Sequence, residues 1–241
     1  MQLSVCIITK NECTKLNKCL NALKPYGFEI VVVDTGSTDL TKNMVLEYTD
    51  KLFSFDWTDD FAAAKNYAVS KASNDMVMVI DSDEYMEKCN LKVLFSQIEA
   101  NPYSVGRIKR INLVSRNGET IENIDWTNRI FNRKLFQYRG KIHEQLVPIH
   151  SSDRGDEVKI AYEMYKSELV VRHDGYEGTE EERRRKAERN VRLLIKELKE
   201  TPEDTYLLYQ LGKSYYMAGE YEKAVENFDI ALQYDVDPKL E

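Results

Sequence analysis

The chain has 241 residues, 42% of them hydrophobic and 31% charged, with only 10 Gly and 5 Pro. That composition suits one large domain, or an ordinary domain with a small appendage, and leaves no room for a long disordered or low-complexity tract. A formal net charge of -7 argues against nucleic acid as the main partner, because phosphate-backbone binding rests on clustered Lys and Arg.

The first hundred residues alternate apolar, β-branched runs with helical periodicity. "LSVCIIT" predicts a buried strand, followed by a helix with Leu16, Cys19, Leu20 and Leu23 on one face. "EIVVVD" predicts a second strand and, after Ser37-Thr38, a helix carrying Leu40, Met44 and Tyr48. "KLFSF" is a third strand, leading to a helix with Phe61, Ala64 and Ala68; "MVMVID" is a fourth, leading to a helix with Leu91, Leu94, Phe95 and Ile98. Four strand-helix units in a row imply an α/β fold with a mostly parallel sheet covered on both faces.

After residue 104 the texture changes. "VGRIKRINLVS", an Asn117-Gly118 turn and "ETIENI" predict a hairpin, and the stretch to about 172 reads as mixed strand and loop. From Thr179 the chain turns helical: one helix ends before Pro202, and two more are separated by Gly219. The basic cluster Arg183 to Lys186, following Glu180-Glu181-Glu182, is a solvated face of the first of these. Cys6, Cys13, Cys19 and Cys89 have no CxxC spacing and no histidines placed to complete a zinc site. No apolar run approaches the length of a membrane span and no signal peptide is evident, so a cytoplasmic chain with free thiols is expected.

Asp34-Thr35-Gly36-Ser37, read alone, is the signature of an aspartic protease. That chemistry needs two carboxylates sharing a proton in an all-β structure. The chain has no second copy, and the strand-helix alternation around Asp34 contradicts the fold.

Ligand sites of open α/β sheets lie beyond the carboxyl ends of the strands. Polar clusters fall there: Thr9 to Glu12, Asp34 to Asp39, Asp56 to Asp60, and Asp81-Ser82-Asp83-Glu84. In the last, carboxylates at i and i+2 repel one another unless a cation sits nearby, and hard oxygen ligands suit Mg2+ or Mn2+ holding a diphosphate. The other reading is a solvated turn in which Asp or Ser caps the next helix. Neither GxGxxG nor GxxxxGK[ST] is present, so neither a dinucleotide fold nor a P-loop is supported.

Taken together, "SVCIITKNE", "EIVVVDTGSTDLT", "FDWTDDFAAAKNYAVSKASNDMVMVIDSDE" and "GKIHEQL" resemble a glycosyltransferase of family 2, with the A-type fold, over residues 1 to about 150. The helix pair resembles a tetratricopeptide repeat, which a bacterial branch of that family carries: Leu211-Gly212, Tyr215, Ala224, Phe228 and Ala231 match its packing positions. It departs at Leu208, where Trp is favoured, and at Val236, where Pro is favoured; Pro238 comes two residues late. The expected organisation is a transferase domain over residues 1–175 and a helical segment over 176–241, with one repeat at about 204–238. One repeat cannot bury its own face, so it packs on the preceding helix and domain or belongs to a longer array.

The resemblance implies roles. Thr9 and Glu12 would flank the nucleotide base and Asp34 would accept a hydrogen bond from a uracil N–H. Gly36 would permit the turn, and Ser37 or Thr38 would cap the next helix. Lys65 and Asn66 align where the family has Arg-Asn near the diphosphate; a surface lysine on an amphipathic helix is the alternative. Asp81, Ser82 and Asp83 form the DxD element, with Asp83 the better placed for metal and Asp81 beside it, and His173 sits where relatives place a histidine near the metal or phosphates. His143-Glu144 stands in place of the family's Glu-Asp pair; Glu144 is favoured as the base of an inverting displacement, with His143 as positioning group or second candidate. Trp126 could stack on a sugar and Arg129 meet a phosphate, though core packing and an ion pair explain them equally well.

The implied activity is transfer from a nucleoside-diphosphate sugar, with UDP as the expected nucleotide and Mn2+ or Mg2+ as cofactor. The acceptor is a peptide, a glycan or a lipid-linked glycan, and a homodimer is compatible with all of this. Two alternatives stay open: a degenerate transferase serving as a repeat-based scaffold, and a nucleotidyltransferase.

Overall fold

A computed structural model describes residues 2–116, 119–149, 162–173 and 180–234. The Asn117-Gly118 turn, Thr179, Val236 and Pro238 lie outside the described residues. In chain order the elements are β1 (Ser4–Thr9), α1 (Cys13–Leu23), β2 (Glu29–Asp34), α2 (Thr41–Val45), β3 (Leu52–Ser54), α3 (Phe61–Ser70), β4 (Met76–Val79), β5 (Glu84–Lys88), α4 (Leu91–Ala100), β6 (Val105–Arg116), β7 (Glu119–Asn132), β8 (Phe136–Arg139), β9 (Gln145–Pro148), β10 (Met164–His173), α5 (Glu180–Leu198), α6 (Thr205–Ala218) and α7 (Tyr221–Gln233).

The first compact unit is built on an 8-stranded sheet ordered β3-β2-β1-β4-β7-β6-β10-β5. The half containing β3, β2, β1 and β4 is parallel. Beyond β4 the sheet is mixed, because β6 and β7 form a long antiparallel hairpin and β10 runs parallel to β6 but antiparallel to β5. On one face α1 buries Leu16, Cys19, Leu20 and Leu23, in one core with Val5, Ile7, Met78 and Ile108. On the other, Ala62 and Ala68 of α3 pack with Val31, Val33, Val77 and Phe131. Each large aliphatic side chain taken fully from water contributes about 1.5–3 kcal/mol, so this double coverage, and not strand propensity, fixes the sheet.

Two local expectations change. The segment after the acidic motif is strand β5, not the lead-in to a helix. The Asn90 side chain accepts the N–H groups of Lys92 and Val93 at 3.1 and 3.4 Å, which starts α4 there and leaves Glu84–Lys88 to pair with β10. Neither Ser37 nor Thr38 caps α2. The Asp39 carboxylate holds the Thr41 N–H at 3.0 Å, while Leu40, expected on the buried face, is 68% exposed.

The second compact unit comprises α5 to α7 together with two short segments from earlier in the chain, Asp59–Phe61 and Gly140–Glu144. Glu197 of α5 accepts the N–H groups of Lys141 and Ile142 at 3.0 and 3.3 Å, and Ile142 is buried with Leu193, Leu194, Leu207 and Leu211. Gly219, at φ 81°, closes α6 in the left-handed conformation and lets the chain turn into α7.

Gly212 sits where α6 crosses α7. A Cβ there would lie 2.5 Å from the Phe228 ring. Gly212→Ala is expected to destabilise this unit by roughly 1–3 kcal/mol through overpacking, whereas Leu232→Ala, at a position 73% exposed, should change little. Urea-denaturation midpoints of the two variants distinguish them.

Candidate functional site

The carboxyl ends of β1 and β2 lie side by side, with Thr9 opposite Asp34. The Thr9 carbonyl accepts both the N–H and the hydroxyl of Thr35, at 2.9 and 3.1 Å. The Thr9 hydroxyl is itself buried and makes no hydrogen bond among the described residues. Asp34, 1% exposed, accepts the N–H groups of Gly36 at 3.1 Å and Ser37 at 3.0 Å, with the Lys42 ammonium 3.6 Å away. Gly36 takes φ 105°, which is why the turn needs glycine.

A residue that sequence reasoning passed over ties the two loops together. Asn11, at φ 53°, donates its N–H to the Ser37 hydroxyl at 2.8 Å and accepts the Thr38 N–H at 2.7 Å. Asn tolerates the left-handed region better than most residues; in the sequence it stands out only as a member of the Thr9 to Glu12 cluster. Glu12 follows, its N–H donating to the Thr41 hydroxyl at 3.1 Å and its carboxylate accepting the Ser82 hydroxyl at 3.1 Å.

The acidic motif separates its carboxylates. Asp81 faces the Lys65 ammonium at 3.0 Å and the Arg129 guanidinium at 2.6 Å. Burial pushes the Asp81 carboxyl up, but Arg129 and Lys65 together hold it well below the usual carboxylate range. Glu84, 0% exposed, receives Arg129 at 2.8 Å and Arg110 at 3.3 Å. Arg110 in turn makes two hydrogen bonds to Asp125, at 3.0 and 2.7 Å. The repulsion expected within the motif is thus answered in part by cations of the chain itself. Lys65 is 4% exposed and no surface lysine. Asn66 commits both ends of its amide to the main chain of Tyr138, each at 2.8 Å. Trp126 lies under the Lys166 ammonium, 5.0 Å from the ring centroid.

Asp83 turns the other way, its Oδ1 lying 3.5 Å from Nε2 of His173. Among the described residues no group of three or more His, Cys, Asp or Glu is placed to hold a metal ion. Asp83 with His173 would be the residues to hold a divalent cation such as Mn2+ or Mg2+, which would supply positive charge beside a diphosphate. Asp81, expected beside them, directs its oxygens to Lys65 and Arg129.

His143 and Glu144 belong to the second unit. His143 has φ 52° and follows Gly140 at φ 97° in the loop that Glu197 anchors. Burial, aided by Lys213 and Arg189 and opposed by Glu144, pulls the His143 pKa from 6.5 down to about 4. The unfolded chain therefore binds the extra proton between those values. Stability present above pH 6.5 is lost as the pH falls through the window, by at most about 3 kcal/mol. His143→Gln is expected to flatten that stretch of the stability–pH profile, measured by urea denaturation at pH 7.5 and pH 4.5.

This half-parallel, mixed sheet with polar loops at its strand ends is similar to that of glycosyltransferases of the A type. The chain belongs to glycosyl transferase family 2, whose description matches residues 4–150. It is 30% identical over 227 residues to a TPR repeat-containing protein of Synechococcus elongatus, covering 92% of this chain and 54% of that one. It is 26% identical over 225 residues to the SPbeta prophage-derived glycosyltransferase SunS of Bacillus subtilis, covering 91% and 50%. The chain thus spans about half the length of these curated relatives. In fold it is similar to S. aureus TarS 1-349 in complex with UDP-GlcNAc, with a TM-score of 0.52 at 18% identity, covering 97% of this chain and 81% of that one. Among the described residues no helix is long and apolar enough to cross a membrane.

Proposed function

We propose that the chain transfers a sugar from a nucleoside-diphosphate sugar, with UDP as the nucleotide, to a peptide, glycan or lipid-linked acceptor, inverting the anomeric carbon. The observation that carries this reading is the approach of Asp83 to His173 beyond the β4 end, beside the loops of β1 and β2. The family membership and the UDP-GlcNAc named in the TarS structure support it.

Asp34 retains lone pairs beyond those taken by Gly36 and Ser37 and receives the uracil N–H; Thr9 and Glu12 flank the base, and Ser82 lines the sugar side. Lys65 and Arg129, anchored on Asp81, provide fixed positive charge beside the diphosphate. Asn66 acts through its hold on Tyr138. A divalent cation at Asp83 and His173 would offset the negative charge that develops on the departing diphosphate. A general base takes the acceptor's proton as the new glycosidic bond forms and the bond to the diphosphate oxygen breaks; Glu144, with His143 as positioning group, is the candidate that the family resemblance gives. The helices α6 and α7 form a tetratricopeptide-type pair, in keeping with the name of the Synechococcus relative, and serve acceptor or subunit docking.

Calorimetric titration of UDP, GDP, CDP and TDP, with and without Mn2+, tests the reading on wild type and Asp83→Ala. UDP is expected to bind with Mn2+ dependence that the variant loses. A folded protein that binds none of the four would overturn it in favour of the scaffold. Turnover of a nucleoside triphosphate with pyrophosphate release would point to nucleotidyl transfer.

A further inference from the structure

We infer that Asn112 is a positioning residue that fixes the tautomer and orientation of His173, so that Nε2 is presented as an acceptor toward Asp83. This rests on the reading of Asp83 and His173 as the seat of a divalent cation.

Asn112 is 2% exposed on β6, directly opposite His173 on β10. Its side-chain oxygen lies 2.8 Å from Nδ1 of His173. The amide of an Asn can be turned either way, but here its nitrogen end is fixed: Nδ2 donates to the Asn123 carbonyl and to the Asp125 carboxylate, both at 3.2 Å. A flipped amide would set its oxygen against two acceptors and its nitrogen against the ring. Asp125 is itself immobilised by the two hydrogen bonds from Arg110. With the oxygen of Asn112 toward the ring, Nδ1 must carry a proton, and of the two tautomers of a neutral imidazole only the one whose Nε2 lone pair is turned toward Asp83 meets that demand. Metal-binding histidines commonly have the second nitrogen held in this manner, which sets ring orientation and basicity.

Two measurements on the full chain test the inference. In metal-free protein, 15N NMR of the imidazoles, with His173→Gln assigning one ring among the three histidines, should show Nδ1–H and a bare Nε2 for His173. Asn112→Leu should release that preference and weaken Mn2+ binding in the presence of UDP, read by electron paramagnetic resonance, by about 10- to 100-fold. The double exchange Asn112→Asp/Asp125→Asn keeps an acceptor on Nδ1 and a donor between the two sites, and should return both readouts toward wild type.

An Nε2–H ring in wild type overturns the inference whether or not any variant folds. So does a folded Asn112→Leu with unchanged tautomer and unchanged Mn2+ affinity. A wild type that shows the Nδ1–H ring, released in Asn112→Leu, yet binds neither UDP nor Mn2+, supports the positioning role while overturning the proposed function.

Discussion

Replacing Arg129 by methionine is expected to lower stability by about 3–5 kcal/mol, the usual loss when one partner of a buried ion pair is removed. The side chain is 7% exposed, and one of its nitrogens serves Asp81 at 2.6 Å and Glu84 at 2.8 Å. Of the two carboxylates, Glu84 is the costlier to strand, because it is 0% exposed and water cannot replace the guanidinium. Arg110 stays within 3.3 Å of Glu84, which places the loss toward the lower end of the range, and the melting temperature should fall by roughly 10 °C. Adding Glu84→Gln to the same chain removes the stranded charge and should recover a large part of the loss. Urea denaturation of the single and double variants measures this. A single variant within about 1 kcal/mol of wild type would mean that the network is only a solvated arrangement of charges.

The second large effect falls on turnover. Asp83→Asn is expected to reduce kcat for sugar transfer by about 10²- to 10³-fold, comparable to removing one preorganised electrostatic contact to a transition state. Asparagine matches the shape of aspartate but carries no charge to hold a cation with His173 at 3.5 Å. Asp81→Asn offers the contrasting case: it leaves Lys65 and Arg129 facing a neutral amide at the place where each now meets a carboxylate, so its damage should appear in the melting temperature as well as in the rate. Steady-state kinetics beside thermal unfolding separates the two residues. Equal loss of rate with no loss of stability in both variants would put both carboxylates on the donor and sink the division of labour between Asp81 and Asp83.

How far the sequence announces this molecule depends on how local each feature is. The buried face of α1, Leu16 with Cys19, Leu20 and Leu23, is written in a 3.6-residue period that survives any tertiary context. The strands β1, β2 and β4 are continuous apolar runs, as strands covered on both faces must be. The acidic turn and the loops that flank it were legible because strand ends gather binding groups. The partners that give those residues their roles were not. Arg129 meets Glu84 across 45 positions, and Arg110 meets Asp125 only through the register of β6 with β7. Strand β5 was hidden for a simpler reason: five residues with mixed burial carry no period long enough to oppose the helix that follows. The hold of Asn66 on the Tyr138 main chain and of Asn112 on His173 joins positions far apart in the chain, so neither partner is written in composition or spacing.

The grip of Glu197 on Lys141 and Ile142 bears on protein engineering. Burial raises the pKa of the Glu197 carboxyl, and two main-chain N–H groups depend on it. A truncation at residue 175, chosen to isolate a minimal catalytic fragment, would leave the loop carrying His143 and Glu144 without the helix that shapes it. Chimeras that exchange these helices between relatives would need to transplant Asp59–Phe61 and Gly140–Glu144 with them, because the interchangeable part is contiguous in space and not along the chain.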